Sequence, residues 1–507
     1  MYSKVYSTAL RGVSMEIVSV ETDVSDGLPS FEMVGLLNSE VREAKERVRS
    51  AIKNTGYLLP PKRITVSLSP ADIRKEGSYF DLPIAVGILG SLGLINLKYY
   101  EEDILIAGEL SLSGEVLSMN GVLPMILAAR EKGIRRFIIP KKNAHEGAIV
   151  DDIEIYGVNN LREVVDFLNG GQIKAVEYVD FEKMYEEYFD GEDRDGDFSE
   201  INGQEVVKRA AEVAVAGMHH LLLVGSPGSG KSMIAKRIAG ILPKPDMEEC
   251  MEITKIHSIA GKLDGKAVKM TRPFRAPHHT TTDRALIGGG NNPKPGEITL
   301  AHKGVLFLDE LAEFKRDVID ALRQPLEDGY VSISRVGGAY VFPANVMLVA
   351  ATNPCKCGYY PDRNRCNCSE IQVKNYIGKI SGPILDRIDI CVNTPSVAME
   401  ELGRKGGESS KDIRERVEHA RKCQIERYKN EKYKFNSEIP SSHMEKYCYL
   451  GVEEKKLMDM AYNTFGLSVR AYYKILRVAR TIADLEDEEY IKESHIAEAI
   501  GYRTELI

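Results

Sequence analysis

Residues Gly225-Ser226-Pro227-Gly228-Ser229-Gly230-Lys231-Ser232 spell a complete G-x-x-x-x-G-K-S loop directly after the apolar run His220-Leu221-Leu222-Leu223-Val224. The pattern predicts a buried strand entering the loop and a helix leaving it, from about Lys231 to Ile241. No other stretch constrains the fold as much, because the strand–loop–helix unit demands a parallel sheet around it. Glycines let backbone N–H groups close on phosphates, and the helix N-terminus adds partial positive charge. Lys231 then reaches the β- and γ-phosphates, and Ser232 ligates Mg²⁺. A chain built this way binds ATP or a related nucleoside triphosphate.

A chain of 507 residues exceeds one core, and about 150 residues per domain suggests three. The net charge of −8 does not mark a nucleic-acid binder, nor does it exclude a ring whose pore alone is basic. No charged start leads into an apolar signal core, and the nearly apolar stretch Leu82 to Leu97 is broken by glycines and too short to span a bilayer. The expectation is a cytoplasmic protein with no membrane partner. Four of the eight cysteines crowd into one segment, which suits a reducing compartment better than a disulfide framework.

Residues 1–170 mix short β-like runs (Ile64–Leu68, Ile104–Ala107, Arg136–Ile139) with helical ones (Ser39 to Asn54, Leu123 to Lys132). Residues 171–200 read as a linker, since Glu177 to Glu200 holds eleven acidic residues against Lys183 and Arg194. Strands and helices alternate over 201–395, the mark of a doubly covered parallel α/β sheet, and 396–507 is helical and highly charged.

Within 201–395, Gly304-Val-Leu-Phe-Leu-Asp309-Glu310 is an apolar strand ending in two carboxylates. Asp309 is placed to hold Mg²⁺ and Glu310 to orient and polarise the attacking water. A third strand, Val346 to Ala351, delivers Thr352-Asn353 to the same sheet edge, where ligands gather in open α/β folds. Asn353 reads either as a γ-phosphate or water contact, or as a turn residue before Pro354.

These parts together resemble the AAA+ ATPases. Gly382-Pro-Ile-Leu-Asp-Arg387-Ile-Asp389 is similar to the arginine-finger segment of the magnesium-chelatase and minichromosome-maintenance branch, and Ser468-Val-Arg470 to its sensor-2 segment. The resemblance implies that Arg387 reaches a neighbouring subunit's site, an effect typically of about 10³-fold or more. It leaves open whether Arg470 acts in its own site or the neighbour's. Gln204, in Ile201-x-Gly203-Gln204, matches the family's nucleotide-base contact. The segment from Arg272 to Gly290 resembles the helix-2 insert of this branch, and Gly329 to Phe342 its pre-sensor-1 hairpin, turning at Gly337-Gly338. Arg335 then stands at a basic pore position. With Arg272, Arg275 and Arg284 it either grips a DNA phosphate backbone without reading sequence or bridges subunits.

The similarity narrows further. Phe274-Arg-Ala-Pro-His-His-Thr, Leu322-Arg-Gln-Pro-Leu-Glu-Asp-Gly and Ile380-Ser-Gly-Pro-Ile-Leu-Asp-Arg-Ile-Asp resemble the bacterial YifB/ComM group of magnesium-chelatase-like ATPases, across essentially the whole chain. That resemblance implies a homohexamer using ATP and Mg²⁺ for branch migration of DNA during natural transformation.

Cys355-Lys-Cys357 and Cys366-Asn-Cys368 offer four thiolates for a tetrahedral structural Zn²⁺ site. Exposed free thiols or an oxidised pair are the alternatives. The N-terminal segments Gly108 to Leu117, Leu127 to Ile134 and Ile139-Pro140 resemble the Lon-type protease domain, an α/β fold like that of ribosomal protein S5. Lon uses a Ser–Lys dyad. Here Tyr79 stands where that serine belongs and Leu123 where the lysine belongs, so the domain is expected to dock a protein partner or assemble subunits, not to cut peptides. The competing functions are a chelatase-type motor that remodels a metal-insertion enzyme, and a nucleotide-gated assembly platform.

Overall fold

A computed structural model describes residues 2–97, 103–190, 196–290, 292–335, 338–395 and 407–504. The chain divides into two compact units. One comprises Met1–Gly191, Cys250–Met270 and Ile333–Val341; the other comprises Glu192–Glu249, Thr271–Ser332 and Phe342–Ile507.

The first unit is built on a seven-stranded sheet, ordered Ser30–Val34, Arg63–Ser69, Ser14–Ser25, Tyr2–Arg11, Ile104–Ile106, Arg136–Pro140 and Glu154–Val158. The hairpin Tyr2–Arg11/Ser14–Ser25 and its neighbour Arg63–Ser69 pair antiparallel, and the remaining pairs are parallel. The helix Ser39–Asn54 begins where the Asn38 side chain accepts the Glu40 N–H, and it buries Val41, Ala44, Val48, Ala51 and Ile52 along one face. The long apolar stretch from Leu82 is mostly the helix Asp81–Ser91, buried on nearly all sides. Among the described residues no helix is long and apolar enough to cross a membrane.

The segment expected as a linker over 171–200 contains a helix, Phe181–Asp190. Phe181 and Phe189 are buried and Met184 and Tyr185 pack beside them in the core of the first unit. Apolar residues at i, i+3, i+4 and i+8 made an amphipathic face that the acidic composition concealed. The most acidic part, 191–195, lies outside the described residues, as does Gly337 of the expected hairpin turn. In the same unit Ser78 Oγ hydrogen-bonds the Glu109 carboxylate, while the fully buried Lys75 donates to the Pro70 carbonyl.

The second unit holds a five-stranded sheet in the order Phe274–Arg275, Val305–Leu308, Met347–Thr352, Leu221–Gly225, Ile390–Thr394, parallel throughout. Its central strands are continuous apolar runs because helices cover both faces. The helix after the nucleotide loop runs Lys231–Ile241. The C-terminal helices Ser410–Arg427, Val452–Phe465, Val469–Leu485 and Glu493–Thr504 join the same hydrophobic core. Arg427 fastens two of these elements by a bidentate pair with Asp484, at 2.5 and 2.7 Å. Residues 396–406, at the start of this helical region, lie outside the described residues.

Candidate nucleotide site and arginine cleft

The sheet order brings three strand ends together. Leu221–Gly225 lies beside Met347–Thr352, which lies beside Val305–Leu308, so Gly225, Asn353 and Asp309 emerge at one carboxyl edge. Gly230 caps the outgoing helix at φ +85°, a left-handed conformation that a side chain would strain. Lys231 Nζ donates to the carbonyls of Gly225 (2.7 Å) and Ser226 (2.8 Å) and lies 3.3 Å from Asn353 Oδ1. Burial lowers the Lys231 pKa, opposed by Asp309 and Glu310.

Ser232 Oγ donates to Asp309 Oδ2 at 2.6 Å, so the hydroxyl and carboxylate expected to share Mg²⁺ already face each other. Glu310 follows with φ +53°, and its N–H donates to Asp309 Oδ1. A non-glycine residue held in the left-handed region next to the P-loop is strain of the kind that gathers at functional sites. Gln204 is a second case, at φ +58°. Its Nε2 donates to the Ser229 and Pro395 carbonyls, each at 2.8 Å, which orients the amide. Its Oε1 is buried and accepts no hydrogen bond among the described residues.

His279 was not singled out in the sequence, yet its Nδ1 lies 3.4 Å from Glu310 Oε2. The Phe274-Arg-Ala-Pro-His-His-Thr motif was the available signal. It marked the insert without showing which of its side chains turns toward the carboxylate.

Arg387 and Arg470 are not brought to this site. They line a separate cleft of about 730 Å³ with Glu327, Asp389 and Lys474, to which no P-loop residue contributes. Arg387 pairs with Glu327 and donates to the carbonyls of Pro383 (2.7 Å) and Arg323 (3.1 Å), while Arg470 stands 4.0 Å from the same Glu327. Glu327 and Lys474 are further polar members of this cleft that sequence reading did not single out: Glu327 sits unremarked within the 322–329 motif, and nothing local distinguishes Lys474 from a surface charge.

The basic residues proposed for DNA divide. Arg272 is a correction: its side chain is 2% exposed, forms a 2.6 Å ion pair with the equally buried Glu249, and donates to the Pro243 and Lys303 carbonyls. All three guanidinium nitrogens donate internally and the side chain is sealed from solvent, so it does not face a phosphate. Arg275 is likewise engaged, in a bidentate pair with Glu297 at 2.6 and 2.8 Å. Arg284 is exposed on the short helix Asp283–Ile287, and Arg335 is exposed at the end of the strand Tyr330–Arg335.

Cys355, Cys357, Cys366 and Cys368 converge, with all four sulfurs within 4.8 Å of one another. The separations given by 355–357, 355–366 and 357–366 are 3.3, 3.8 and 3.5 Å. Four sulfurs at about 2.3 Å from one zinc stand about 3.8 Å apart, so the set fits that ion. Burial opposes ionisation of Cys355, but the N–H groups of Tyr360 and Gly358 and the neighbouring thiols bring it down to about 6. Gly358, at φ +89°, abuts the nucleotide loop: a Cβ there would lie 2.5 Å from Pro227 Cδ.

Comparison with known proteins matches this architecture along its length. The family described as "Magnesium chelatase, subunit ChlI" matches residues 197–402, "Subunit ChlI of Mg-chelatase" matches 20–143, and "Magnesium chelatase, subunit ChlI C-terminal" matches 407–503. The competence protein ComM of Haemophilus influenzae is 44% identical over 502 residues, 98% of this chain and 97% of that protein. The protein YifB of Salmonella typhimurium is 38% identical over 504 residues, 98% of this chain and 96% of its own length. A Lon protease of Finegoldia magna is 25% identical over 162 residues, covering 30% of this chain and 20% of that protein. With the P-loop, the paired carboxylates and the helical C-terminal region in place, the chain belongs to the YifB/ComM family of magnesium-chelatase-like AAA+ ATPases, whose chemistry uses ATP and Mg²⁺.

Proposed function

We propose that the protein is an ATP-driven ring motor that remodels DNA, as a homohexamer with branch-migration or helicase-like activity. The observation that carries the ring is the separation of Arg387 and Arg470 from the P-loop of their own chain. A hydrolytic site with Lys231, Ser232, Asp309 and Glu310, to which neither Arg387 nor Arg470 of the same chain is brought among the described residues, is completed by a neighbour's arginines. Repeating that head-to-tail contact closes a ring. In this reading Arg387 and Arg470 both act on the adjacent subunit, and Glu327 holds them until that subunit arrives.

Gln204 Oε1 is the acceptor for the exocyclic amine of the nucleotide base, and the four-cysteine cluster holds one structural Zn²⁺. Asn353 contacts the γ-phosphate or the lytic water. DNA as the substrate is supported by the extent of similarity to a competence protein and by the exposed Arg284 and Arg335. The Lon-like N-terminal unit serves docking or assembly.

The test is the ATPase rate of the purified protein with and without forked, branched and single-stranded DNA, with Glu310→Gln as the control. Stimulation that disappears in the variant and weakens steeply with salt supports the motor. An ATPase indifferent to every DNA overturns that reading and directs the search to a protein partner, as in a chelatase-type motor.

A further inference from the structure

Nothing in the sequence marked an aromatic platform for bases, but the folded cysteine loop builds one. Between Cys357 and Cys366 the chain makes a compact turn in which Asp362 N–H donates to the Tyr359 carbonyl and Cys366 N–H to the Asp362 carbonyl. The Asp362 carboxylate is occupied within the turn, accepting the Asn364 N–H at 3.0 Å. The Arg365 guanidinium stacks over the Tyr359 ring at 4.1 Å from its centroid, and Arg363 lies over Tyr360 at 5.1 Å. Lys356, Arg363 and Arg365 are exposed and face one acid, Asp362, so the loop is locally positive on a chain whose net charge is −8.

Beneath this turn lies a cavity of about 630 Å³ lined by Tyr359, Tyr360, Arg365, Val373, Ile377 and the P-loop residue Ser226. That volume is within the range of about 300–1,000 Å³ that holds small planar ligands. Two tyrosine rings and the Arg365 guanidinium, with Asp362, line a largely apolar slot, and Arg363 and Lys356 are exposed on the same loop; the set suits an unpaired nucleobase whose phosphates lie outside.

We infer that the cysteine loop is a single-stranded DNA contact: one unstacked base enters the cavity beside Tyr359 and Tyr360 while Arg363, Arg365 and Lys356 meet the flanking phosphates. This deepens the DNA-motor reading and rests on it. A base held in a duplex is not available to the cavity, so the contact selects single strands. Stacking and charge alone make the contact, so it tolerates any sequence. Ser226 lines the same cavity and Gly358 abuts Pro227, so base occupancy and ATP binding at the P-loop influence each other, with equal factors in both directions.

The experiment measures binding of a fluorescent oligothymidine to the full chain, against a blunt duplex, with Tyr359→Leu, Tyr359→Phe and Arg365→Ala. Expected results are about 5- to 100-fold weaker oligothymidine binding for Tyr359→Leu and near-normal binding for Tyr359→Phe. Arg365→Ala lowers the slope of log affinity against log salt by about 0.7. ATP-analogue affinity and ring assembly, read in parallel, identify a variant that has failed to fold. Wild-type binding with both Tyr359→Leu and Arg365→Ala unchanged overturns the inference and leaves the motor reading standing. Weakened ATP-analogue binding with intact DNA binding assigns the cavity to the base of ATP and also overturns it. Loss of ring assembly in the otherwise folded Tyr359→Leu makes the loop a subunit contact, again overturning it. A wild-type chain that binds no DNA sinks the motor reading itself.

Discussion

Lys474 Nζ lies 2.7 Å from Asp389 Oδ1 and also donates to the carbonyl oxygens of Arg387 and Ile388, at 2.7 and 3.3 Å. Asp389 Oδ2 accepts the His220 N–H at 2.9 Å, so one carboxylate ties the segment bearing Arg387 to the helix Val469–Leu485 and to the entrance of the P-loop strand. Burial works against ionisation of Asp389, but Lys474 and the two neighbouring histidines hold it well below the usual carboxylate range. The pair is therefore an anchor for the proposed finger, which the finger motif alone did not reveal.

Lys474→Met leaves the buried Asp389 carboxylate without its ammonium partner, so the folded state should lose up to about 3–5 kcal/mol. If the protein remains folded, its ATPase falls by up to about 10³-fold with ATP binding retained. Mixing it with Glu310→Gln subunits should restore part of the rate, because those subunits lend an intact Arg387. No restoration in mixed rings, with Arg387→Ala restored under the same conditions, would exclude the anchoring role.

Glu310→Gln should lower kcat by about 10²–10⁴-fold while ATP still binds. His279→Ala should lower kcat by less than that, since the imidazole faces Glu310 Oε2. A kcat identical to wild type would remove His279 from the site.

Metal analysis of the purified chain should find one zinc per chain, lost in Cys366→Ser. Chelation should lower the melting temperature and weaken ATP binding together, because Gly358 abuts Pro227 of the nucleotide loop. Gly358→Ala should weaken ATP binding with the metal still present, since its Cβ would strike that proline. Full ATP affinity in the metal-free protein would separate the loop from the nucleotide site.

Arg272→Ala should destabilise by about 3–5 kcal/mol, as removal of one partner strands the buried Glu249 carboxylate. Its salt dependence of DNA binding should match wild type, whereas Arg335→Ala should reduce that slope. Salt-slope titrations of both variants decide between a buried strut and a phosphate contact.

His220 Nδ1 accepts the Leu348 N–H at 3.1 Å, which requires the neutral ring, and burial pulls its pKa down to about 4. The unfolded chain, with a histidine near 6.5, binds more protons between those values. This contribution to stability is therefore full above about pH 6.5 and is lost as the pH falls toward 4. Melting temperatures across that window should decline, and His220→Asn, which keeps an acceptor without a titrating ring, should flatten the decline.

Local information was enough to set out the nucleotide loop, its helix Lys231–Ile241, the helix Ser39–Asn54 and the strand leading to Asp309 and Glu310. Glycine positions, caps and apolar periodicity act over a few residues, so they are written in order along the chain. The family followed from such local motifs taken together. Only the tertiary structure decided what each charge does. Arg272 and Arg335 look alike in sequence, yet one is sealed against Glu249 and the other is exposed. The linker composition hid a helix because burial depends on which face finds a core. The meeting of Arg387 and Arg470 at Glu327, His279 at Glu310, and four sulfurs within bonding reach of one ion depends on the order in which distant strands and helices pack, and Coulomb and packing energies are settled by that proximity rather than by sequence spacing.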